Sequence, residues 1–229
     1  MTRVGPLLQL DAGGVLRFTP WLEYPWLEHG FGTRLSEDWN QRPDWVALNQ
    51  IHSDRCLYAD GAACGRIGEG DALFTNVPGA ALAVRTADCV PLLIVDPHRR
   101  AAAVVHAGWR GTALAIASRA VQALADRFGS SPADLEAVLG PAIGPCCYEV
   151  GPEVAAQFQP WFPERSDLNG PARLDLWEAN RRQLLEAGLD PPRVHAVSQC
   201  TRCHPALFHS YRRDGEKAGR MVSGLRIRF

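Results

Sequence analysis

The first half of the chain consists of short apolar runs separated by polar turns, a pattern typical of β-strands. Several of these runs are rich in Val, Ile and Leu and are too short for helices. Two similar runs return near the C-terminal end. We predict strands at Val15–Phe18, His29–Arg34, Val46–Ile51, Arg55–Ala59, Ala80–Thr86, Pro91–Asp96, Ala101–His106, Arg193–Gln199 and Met221–Ile227.

Helical periodicity begins in the middle of the chain. Apolar residues recur at spacings of three and four over Ala113–Phe128, with Thr112 as the expected N-cap. A second helix is predicted at Leu176–Ala187, where Asp175 and a glutamate three positions later resemble a capping box. A shorter helix is predicted at Gly151–Phe158.

The order of these elements predicts the fold class. Strands, a helix, a strand, helices and strands follow one another without regular βαβ alternation, which favours an α+β fold with mixed β-sheets covered by helices. The chain has 229 residues, of which 46% are hydrophobic. A chain of this size buries one substantial core, so we expect a single domain over residues 1–229.

Charge and composition narrow the function. The 24 basic and 25 acidic residues give a net charge of −1, which does not suit nucleic-acid binding. Apolar runs are strand-sized and the N-terminal segment does not resemble a secretory signal, so we expect a cytoplasmic protein without a membrane span. An odd number of cysteines in a reducing compartment indicates free thiols or metal ligands. The seven are Cys56, Cys64, Cys89, Cys146, Cys147, Cys200 and Cys203.

A predicted hairpin brings two reactive side chains together. The runs Pro91–Asp96 and Ala101–His106 flank a four-residue turn. This loop length places Pro91 opposite His106. Side chains alternate between the faces of a strand, so Cys89 is expected on the same face as His106.

A cysteine and a histidine at one strand end allow two chemistries. They are either a nucleophile with its base or two ligands of a metal ion. His52 follows another predicted strand, at the passage from an apolar run to a polar turn. Two histidines and one cysteine, with a fourth position open, match a catalytic zinc site better than a closed structural one.

Several motifs in this order resemble those of one known family. The chain is similar to the YfiH family, whose members have been described as laccase-domain or multicopper polyphenol oxidase proteins and as purine nucleoside phosphorylases. The resemblance extends from about Gly30 to the C-terminal end. The motifs are Gln50–Ser53, Gly70–Thr75, Thr86–Leu93, His106–Gly111, Gly140–Gly151, Cys200-Thr201 and Ser210–Met221.

The resemblance implies specific roles for individual residues. It implies that His52, Cys89 and His106 bind Zn²⁺, and that Arg34 lines a phosphate or substrate pocket. Asp88 and Arg110, each next to a predicted ligand, are further candidates for the catalytic machinery, with Cys89 and Arg34. Relatives usually carry a longer, Gly- and Asn-rich segment where this chain has only Leu35–Asn49, so we expect a rebuilt pocket wall there.

The resemblance implies zinc-dependent phosphorolysis of purine nucleosides such as adenosine, inosine, guanosine and methylthioadenosine, with adenosine deamination beside it. The expected partners are therefore a small nucleoside and phosphate. The family's fold resembles that of deamidase toxins. The alternative is therefore an amide hydrolase, a deamidase or an enzyme that edits peptidoglycan precursors. It would use either zinc or Cys89 as nucleophile with His106 as base, and in the latter case His52 would be a bystander. A small-molecule binding module without turnover also stays open. A copper oxidase is disfavoured because the seven histidines include no His-x-His pair.

Other motifs predict no site by themselves. Cys200 and Cys203 form a lone CxxC, and Cys146-Cys147 are adjacent rather than spaced for chelation. We therefore expect free thiols near the pocket rim and no metal cluster. The segment Gly68–Asp71 lacks the Lys-Ser/Thr of a phosphate-binding loop and is interpreted as a turn. The arginines near the C-terminal end are expected on a solvated face, with one of them able to reach an anionic substrate; they are Arg212, Arg213 and Arg220.

Overall fold

A computed structural model describes residues 2–3 and 7–229 of the chain, with side chains over 7–229. Strands dominate the architecture, as the apolar pattern predicts. In chain order they are β1 Thr2–Arg3, β2 Leu8–Leu10, β3 Leu16–Phe18, β4 Leu27–Phe31, β5 Trp45–Asn49, β6 Cys56–Tyr58, β7 Gly65–Glu69, β8 Ala72–Thr75, β9 Ala81–Thr86, β10 Val90–Asp96, β11 Ala101–Ala107, β12 Glu136–Leu139, β13 Glu149–Val150, β14 Ala172–Arg173, β15 Val194–Ala196 and β16 Met221–Ile227.

Two of the helices are long enough to cover a sheet, and the others are single turns. The α-helices are α1 Glu37–Asn40, α2 Trp109–Ala113, α3 Ile116–Phe128, α4 Pro152–Ala155, α5 Leu176–Glu186 and α6 Tyr211–Asp214. Short 3₁₀ turns lie at Thr19–Glu23, Pro132–Asp134, Ala156–Phe158, Pro191–Arg193 and Gly215–Lys217. Across the described ranges, none of the helices combines the length and apolar character needed to span a membrane.

Two mixed sheets carry the fold. The larger has the strand order β1-β2-β3-β4-β16-β9-β5-β7, and the smaller has the order β15-β12-β10-β11-β8-β6. Most neighbouring strands are antiparallel, whereas β5 pairs in parallel with β7 and β9, β6 with β8, and β12 with β15. The α+β prediction with mixed sheets and covering helices is therefore confirmed.

The central strand β10 separates two cores. Leu92 and Ile94 pack into the cluster formed with the covering helices α3 and α5, whereas Leu93 and Val95 pack into the cluster shared with the larger sheet. Every residue of β10 is buried because both faces of the smaller sheet are covered. The alternation along this strand thus produces three layers: sheet, sheet and helices.

The predicted hairpin forms with the predicted register. Pro91 lies opposite His106, and Asp96 lies opposite Ala101. The Asp96 carboxylate accepts hydrogen bonds from the backbone N–H groups of His98 and Arg99, both at 2.9 Å, and thereby closes the turn. Because register fixes which face each side chain occupies, Cys89 and His106 meet on one side.

The predicted helix over Ala113–Phe128 is divided in two. Ala115 has a φ of 63° and separates α2 from α3, and no side chain caps the start of α3. Thr112, the expected N-cap, is instead buried, and its hydroxyl accepts a hydrogen bond from the Asn180 side chain at 3.0 Å. The cap on α5 is confirmed, since Asp175 Oδ1 accepts from the backbone N–H of Glu178.

Several strands differ from the apolar pattern. The strand β4 ends at Phe31 rather than Arg34, and seven strands lie outside the predicted ranges: β1, β2, β7, β8, β12, β13 and β14. All four residues of β8 are buried on both faces, so this strand lacks the alternation that reveals a half-exposed one. The chain leaves β4 because Thr33 turns it: the Thr33 hydroxyl donates to the carbonyl of Gly14, and its N–H donates to Ser36 Oγ.

Candidate metal centre

Three donor side chains converge at one end of the hairpin. His52 lies in the loop after β5, Cys89 immediately precedes β10, and His106 lies in β11. Their ligand atoms all lie within 4.8 Å of one another, and the two imidazole rings are 5.0 Å apart between centroids. The structure therefore brings together the three residues that the sequence nominates.

The turn that presents His52 is held by a buried carboxylate. Asp71 accepts hydrogen bonds from three successive backbone N–H groups, those of Ile51, His52 and Ser53, and from the Ser53 hydroxyl. His52 itself has a φ of 60°. A non-glycine residue in this region costs on the order of 1–3 kcal/mol, so the converging hydrogen bonds maintain the turn against its strain.

The same carboxylate orients a second donor. Asp71 Oδ1 lies 2.8 Å from His106 Nδ1, so the other ring nitrogen of His106 faces the donor group. Burial raises the pKa of Asp71, but hydrogen bonds from His106 and Ser53 lower it further, to about 2. Asp71 is fully buried and stays ionised. The interpretation of Gly68–Asp71 as a turn did not predict this role for Asp71. The residue does lie in one of the motifs shared with the family, Gly70–Thr75.

Cys89 and His106 also shift each other's pKa. Burial raises the pKa of the Cys89 thiol, but the nearby charge of His106 and hydrogen bonds from His106 and His52 lower it more. Burial lowers the pKa of His106, whereas the Cys89 thiolate and Asp71 raise it more. A thiolate beside an imidazole is both a metal-ligand set and a nucleophile–base pair.

The space around the donors suits a bound ion. A Cβ added at Gly108 would lie 2.9 Å from Cys89 Sγ and 3.1 Å from His52 Cδ2, so the absence of a side chain there keeps the donor group accessible. Two imidazoles and one thiolate with an orienting carboxylate are a donor set that fits zinc. The residues present therefore fit the metal that the resemblance implies.

The donors lie in a cavity of about 1110 Å³. Its lining includes three aromatic side chains, Trp109, Tyr148 and Tyr211. It also includes five arginines, none of which forms an ion pair with a carboxylate within the described part of the chain. These are Arg66, Arg85, Arg110, Arg212 and Arg220. Asp88 is the one acidic residue of this lining, so the cavity is electropositive although the chain as a whole is not.

Asp88 and Arg110, predicted beside the ligands, both line this cavity. The Asp88 carboxylate accepts from the Thr201 hydroxyl at 2.5 Å and from the backbone N–H of Arg212 at 2.6 Å, so it joins the loop after β15 to the helix α6 at the cavity wall. Asp71, not Asp88, is the carboxylate that contacts an imidazole of the centre. The Arg110 guanidinium stacks over the Trp109 ring at 4.4 Å.

Arg34, which the resemblance assigns to a phosphate or substrate pocket, contacts the loop that precedes α6. It is absent from the cavity lining, and its guanidinium donates to the carbonyl of Pro205 at 2.9 Å. Its backbone N–H donates to the carbonyl of Leu207. Because β4 ends at Phe31, Arg34 lies in the loop after that strand, and its role in phosphate binding stays a prediction.

The cysteines outside this centre require a further correction. The expectation of free thiols is confirmed, but the expectation that they form no cluster is wrong: the Sγ atoms of Cys146, Cys147, Cys200 and Cys203 all lie within 4.8 Å of one another. The spacing of the cysteines along the chain does not reveal this proximity. A parallel bridge between Ala142 and Cys200 brings the two cysteine-bearing loops together.

Comparison with known proteins places this geometry in a family. Residues 32–228 match the family model described as multi-copper polyphenol oxidoreductase laccase. Two solved structures share the fold over nearly the full chain. One is a hypothetical protein YfiH of Bacillus licheniformis, with a TM-score of 0.88 and 32% identity over 98% of this chain and 100% of that one. The chain belongs to the laccase-like YfiH family.

Other YfiH-family relatives have assigned activities. The chain is 40% identical over 194 residues to the purine nucleoside phosphorylase YlmD of Geobacillus stearothermophilus, a match covering 78% of this chain and 70% of the relative. The solved structure of that YlmD has a TM-score of 0.88, with coverage of 97% of this chain and 99% of that chain. The chain is also 38% identical over 161 residues to the adenosine deaminase RL5 of an unknown prokaryotic organism, covering 68% of this chain and 61% of the relative.

Proposed function

We propose that the chain is a zinc-dependent enzyme acting on purine nucleosides, as a phosphorylase with adenosine deaminase activity. The observation that carries the proposal is the combination of a three-donor centre with unpaired arginines in one cavity. Relatives named for these two activities support the same substrate class. Adenosine, inosine, guanosine and methylthioadenosine are the proposed substrates.

His52, Cys89 and His106 are the proposed zinc ligands, and Asp71 holds His106 in the ligating orientation. When bound, the ion supplies Lewis-acid chemistry through the coordination position that these three residues leave open.

The cavity arginines are the proposed binding groups for phosphate. A guanidinium without a carboxylate partner keeps its charge available for hydrogen bonds to an anion, although one nitrogen of Arg212 already donates to the carbonyl of Glu149. Arg110 and Arg212 are the strongest candidates because Arg110 lies in the motif that begins at His106, and the backbone N–H of Arg212 donates to Asp88, beside Cys89. Arg34, nominated by the resemblance, becomes the comparison residue since it lies outside the lining.

The aromatic residues are the proposed contacts of the purine. Tyr148 is buried and lines the cavity. Burial, followed by the charges of Cys89 and Asp88, raises the pKa of its phenol, so the hydroxyl keeps its proton. A protonated phenol can donate a hydrogen bond to a departing purine. Trp109 and Tyr211 offer flat apolar faces on the same cavity.

One observation favours the alternative amide hydrolase. Cys89, His106 and Asp71 stand in the order of a nucleophile, a base and an orienting carboxylate. In that reaction Cys89 would act as a free thiolate and His52 would have no ligand role. Stoichiometric zinc on Cys89 contradicts this alternative. A multicopper oxidase remains disfavoured, because within residues 7–229 the five other histidines belong to neither group of converging donors.

The test is product analysis with matched variants. Zinc-loaded protein is incubated with a panel of nucleosides, with and without phosphate, and the bases, sugar phosphates and deaminated nucleosides are separated. We expect phosphate-dependent release of purine base and phosphate-independent deamination of adenosine. We expect Arg212→Ala to reduce phosphorolysis more than deamination, and Arg34→Ala to change neither. Absence of both products from zinc-loaded protein would contradict the proposal.

A further inference from the structure

A second group of thiols lies outside the three-donor centre. Cys146 and Cys147 lie in the loop between β12 and β13, and Cys200 and Cys203 lie in the loop that follows β15. Cys200 is buried, Cys147 is half-buried, and Cys146 and Cys203 are exposed. The four Sγ atoms come within 4.8 Å of one another although the two loops are distant in sequence.

The separations match those of a tetrahedral metal site. Cys203 Sγ lies 3.7 Å from Cys146 Sγ and 3.4 Å from Cys147 Sγ, and the latter two are 3.7 Å apart. Four thiolates at about 2.3 Å from one zinc ion stand about 3.8 Å from each other. Four sulfur ligands in tetrahedral geometry are the donor set of structural zinc.

This group of cysteines has a backbone donor and a neighbouring cavity rich in guanidinium groups. The backbone N–H of Gly144 donates to Cys200 Sγ at 3.3 Å. The neighbouring cavity of about 450 Å³ is lined by both Cys146 and Cys147, by the guanidinium-bearing Arg173, Arg202 and Arg212, and by one carboxylate, that of Glu149. A zinc ion with four thiolates carries a net charge of −2, which this excess of guanidinium groups compensates.

We propose that Cys146, Cys147, Cys200 and Cys203 bind a second zinc ion in a closed structural site. Binding releases the thiol protons and joins the two loops through four metal–sulfur bonds. The four-cysteine site takes no part in the proposed chemistry because it leaves the ion no open position.

The joined loops form one wall of the large cavity. Tyr148, which follows Cys147, lines that cavity, as does Ile143, whose N–H donates to the carbonyl of Asp88 at 2.9 Å. Thr201, which follows Cys200, donates its hydroxyl to the Asp88 carboxylate. The second zinc ion therefore fixes the wall that carries Tyr148 without contacting the substrate.

Metal counting tests the proposal. The full chain is expressed with zinc, purified under reducing anaerobic conditions, and analysed for zinc, iron and copper. We expect two zinc ions per wild-type chain, one in the double variant Cys146→Ser/Cys203→Ser, and one in Cys89→Ala. Cys146 and Cys203 are both exposed, so the double variant should keep its fold. Retention of the other zinc ion verifies that it does. Cys64→Ser, an exposed cysteine outside both groups, is the matched control and should keep two.

Cobalt gives an independent readout. The Cys89→Ala variant, reconstituted with one equivalent of Co²⁺, should show the absorption of tetrahedral cobalt with strong sulfur-to-metal charge transfer. The triple variant Cys89→Ala/Cys146→Ser/Cys203→Ser should not show this absorption. One zinc ion in the wild type, two in the double variant, a disulfide within this group, or iron or copper in place of zinc would each overturn the proposal.

Discussion

The two groups of converging donors differ in completeness and surroundings. The three-donor centre offers two imidazoles and one thiolate beside a cavity of about 1110 Å³, whereas the four-cysteine group offers four thiols between two loops. Three ligands leave a metal ion open to a substrate, and four close it. The number of donors and the cavity beside them therefore distinguish the proposed reactive centre from the proposed structural site, although both use cysteine.

The supporting contacts differ in the same way. In the three-donor centre a buried carboxylate, Asp71, holds one imidazole and the backbone of the turn that carries the other. In the four-cysteine group a backbone N–H, that of Gly144, supports a sulfur atom. A carboxylate such as Asp71 orients an imidazole ligand, whereas a backbone N–H such as that of Gly144 stabilises a thiolate.

The largest expected effect follows from Cys89→Ala. This change leaves two protein ligands at the three-donor centre, so the zinc bound there should be lost. Activity on nucleosides should fall at least about 100-fold, since even residues that orient ligands cost roughly 10–100-fold when replaced. Kinetics and elemental analysis of the same samples measure both effects. Retention of all zinc by the variant would show that Cys89 is not a ligand.

Asp71→Asn should produce the next largest effect. The amide cannot accept as strongly from His106 and from the turn at His52, so zinc affinity at the three-donor centre should fall by roughly 10–100-fold. The zinc of the four-cysteine group should be unaffected. Competition with a chelator of known affinity measures each site.

Asp96→Asn is the matched control for that change. Asp96 is equally buried and accepts backbone hydrogen bonds, but it lies at the opposite end of the hairpin. It should lower the free energy of unfolding while leaving zinc affinity unchanged. Equal losses of affinity in the two variants would mean that Asp71 acts through general stability.

Chelation should distinguish an open site from a closed one by thermal stability. Zinc should leave the three-donor centre first, with loss of activity and little change in melting temperature. Release from the four-cysteine group should follow and lower the melting temperature, by about 2–4 °C for each kcal/mol lost in a chain of this size. Calorimetry during stepwise chelation, with Cys146→Ser/Cys203→Ser as reference, follows both events. A single simultaneous transition would contradict the assignment of different roles.

The smallest expected effect comes from adding one methyl group at each site. A Cβ at Gly108 would lie 2.9 Å from the donor sulfur of Cys89. A Cβ at Gly144 would lie 3.0 Å from the Trp177 ring, which is not a donor, and 3.4 Å from the sulfur of Cys146. Gly108→Ala should therefore weaken zinc binding at the three-donor centre by about tenfold at most. This is the lower end of the loss of affinity expected when a residue that orients a ligand is replaced. Gly144→Ala should leave both sites loaded, as titration with a zinc indicator would show. A stronger effect from Gly144→Ala would reverse the comparison.

Much of the fold was accessible from local patterns. The apolar runs Pro91–Asp96 and Ala101–His106 predicted the hairpin, and the four-residue turn between them fixed which residues pair. The strand β8 was missed because it has only four residues, all buried, so it shows neither the long apolar run of β10 nor the alternation of a half-exposed strand. The break at Ala115 was missed because its cause is not local: Asn180 and Gln183 of α5 hydrogen-bond to Thr112 and hold the end of α2. That residues 1–229 form one domain stays a prediction.

The sequence by itself determined the three donors, because His52, Cys89 and His106 each stand at a strand end where apolar pattern and motif coincide. Only the tertiary structure decided what supports and surrounds them. Asp71 becomes an orienting carboxylate, and the Arg34 guanidinium donates to the carbonyl of Pro205, through contacts between segments that no local spacing encodes. The four-cysteine group has the same origin: adjacent cysteines and a lone CxxC predict nothing separately, and a bridge between two distant loops places their sulfur atoms together. Local periodicity is a property of neighbours along the chain, whereas a site is a property of neighbours in space.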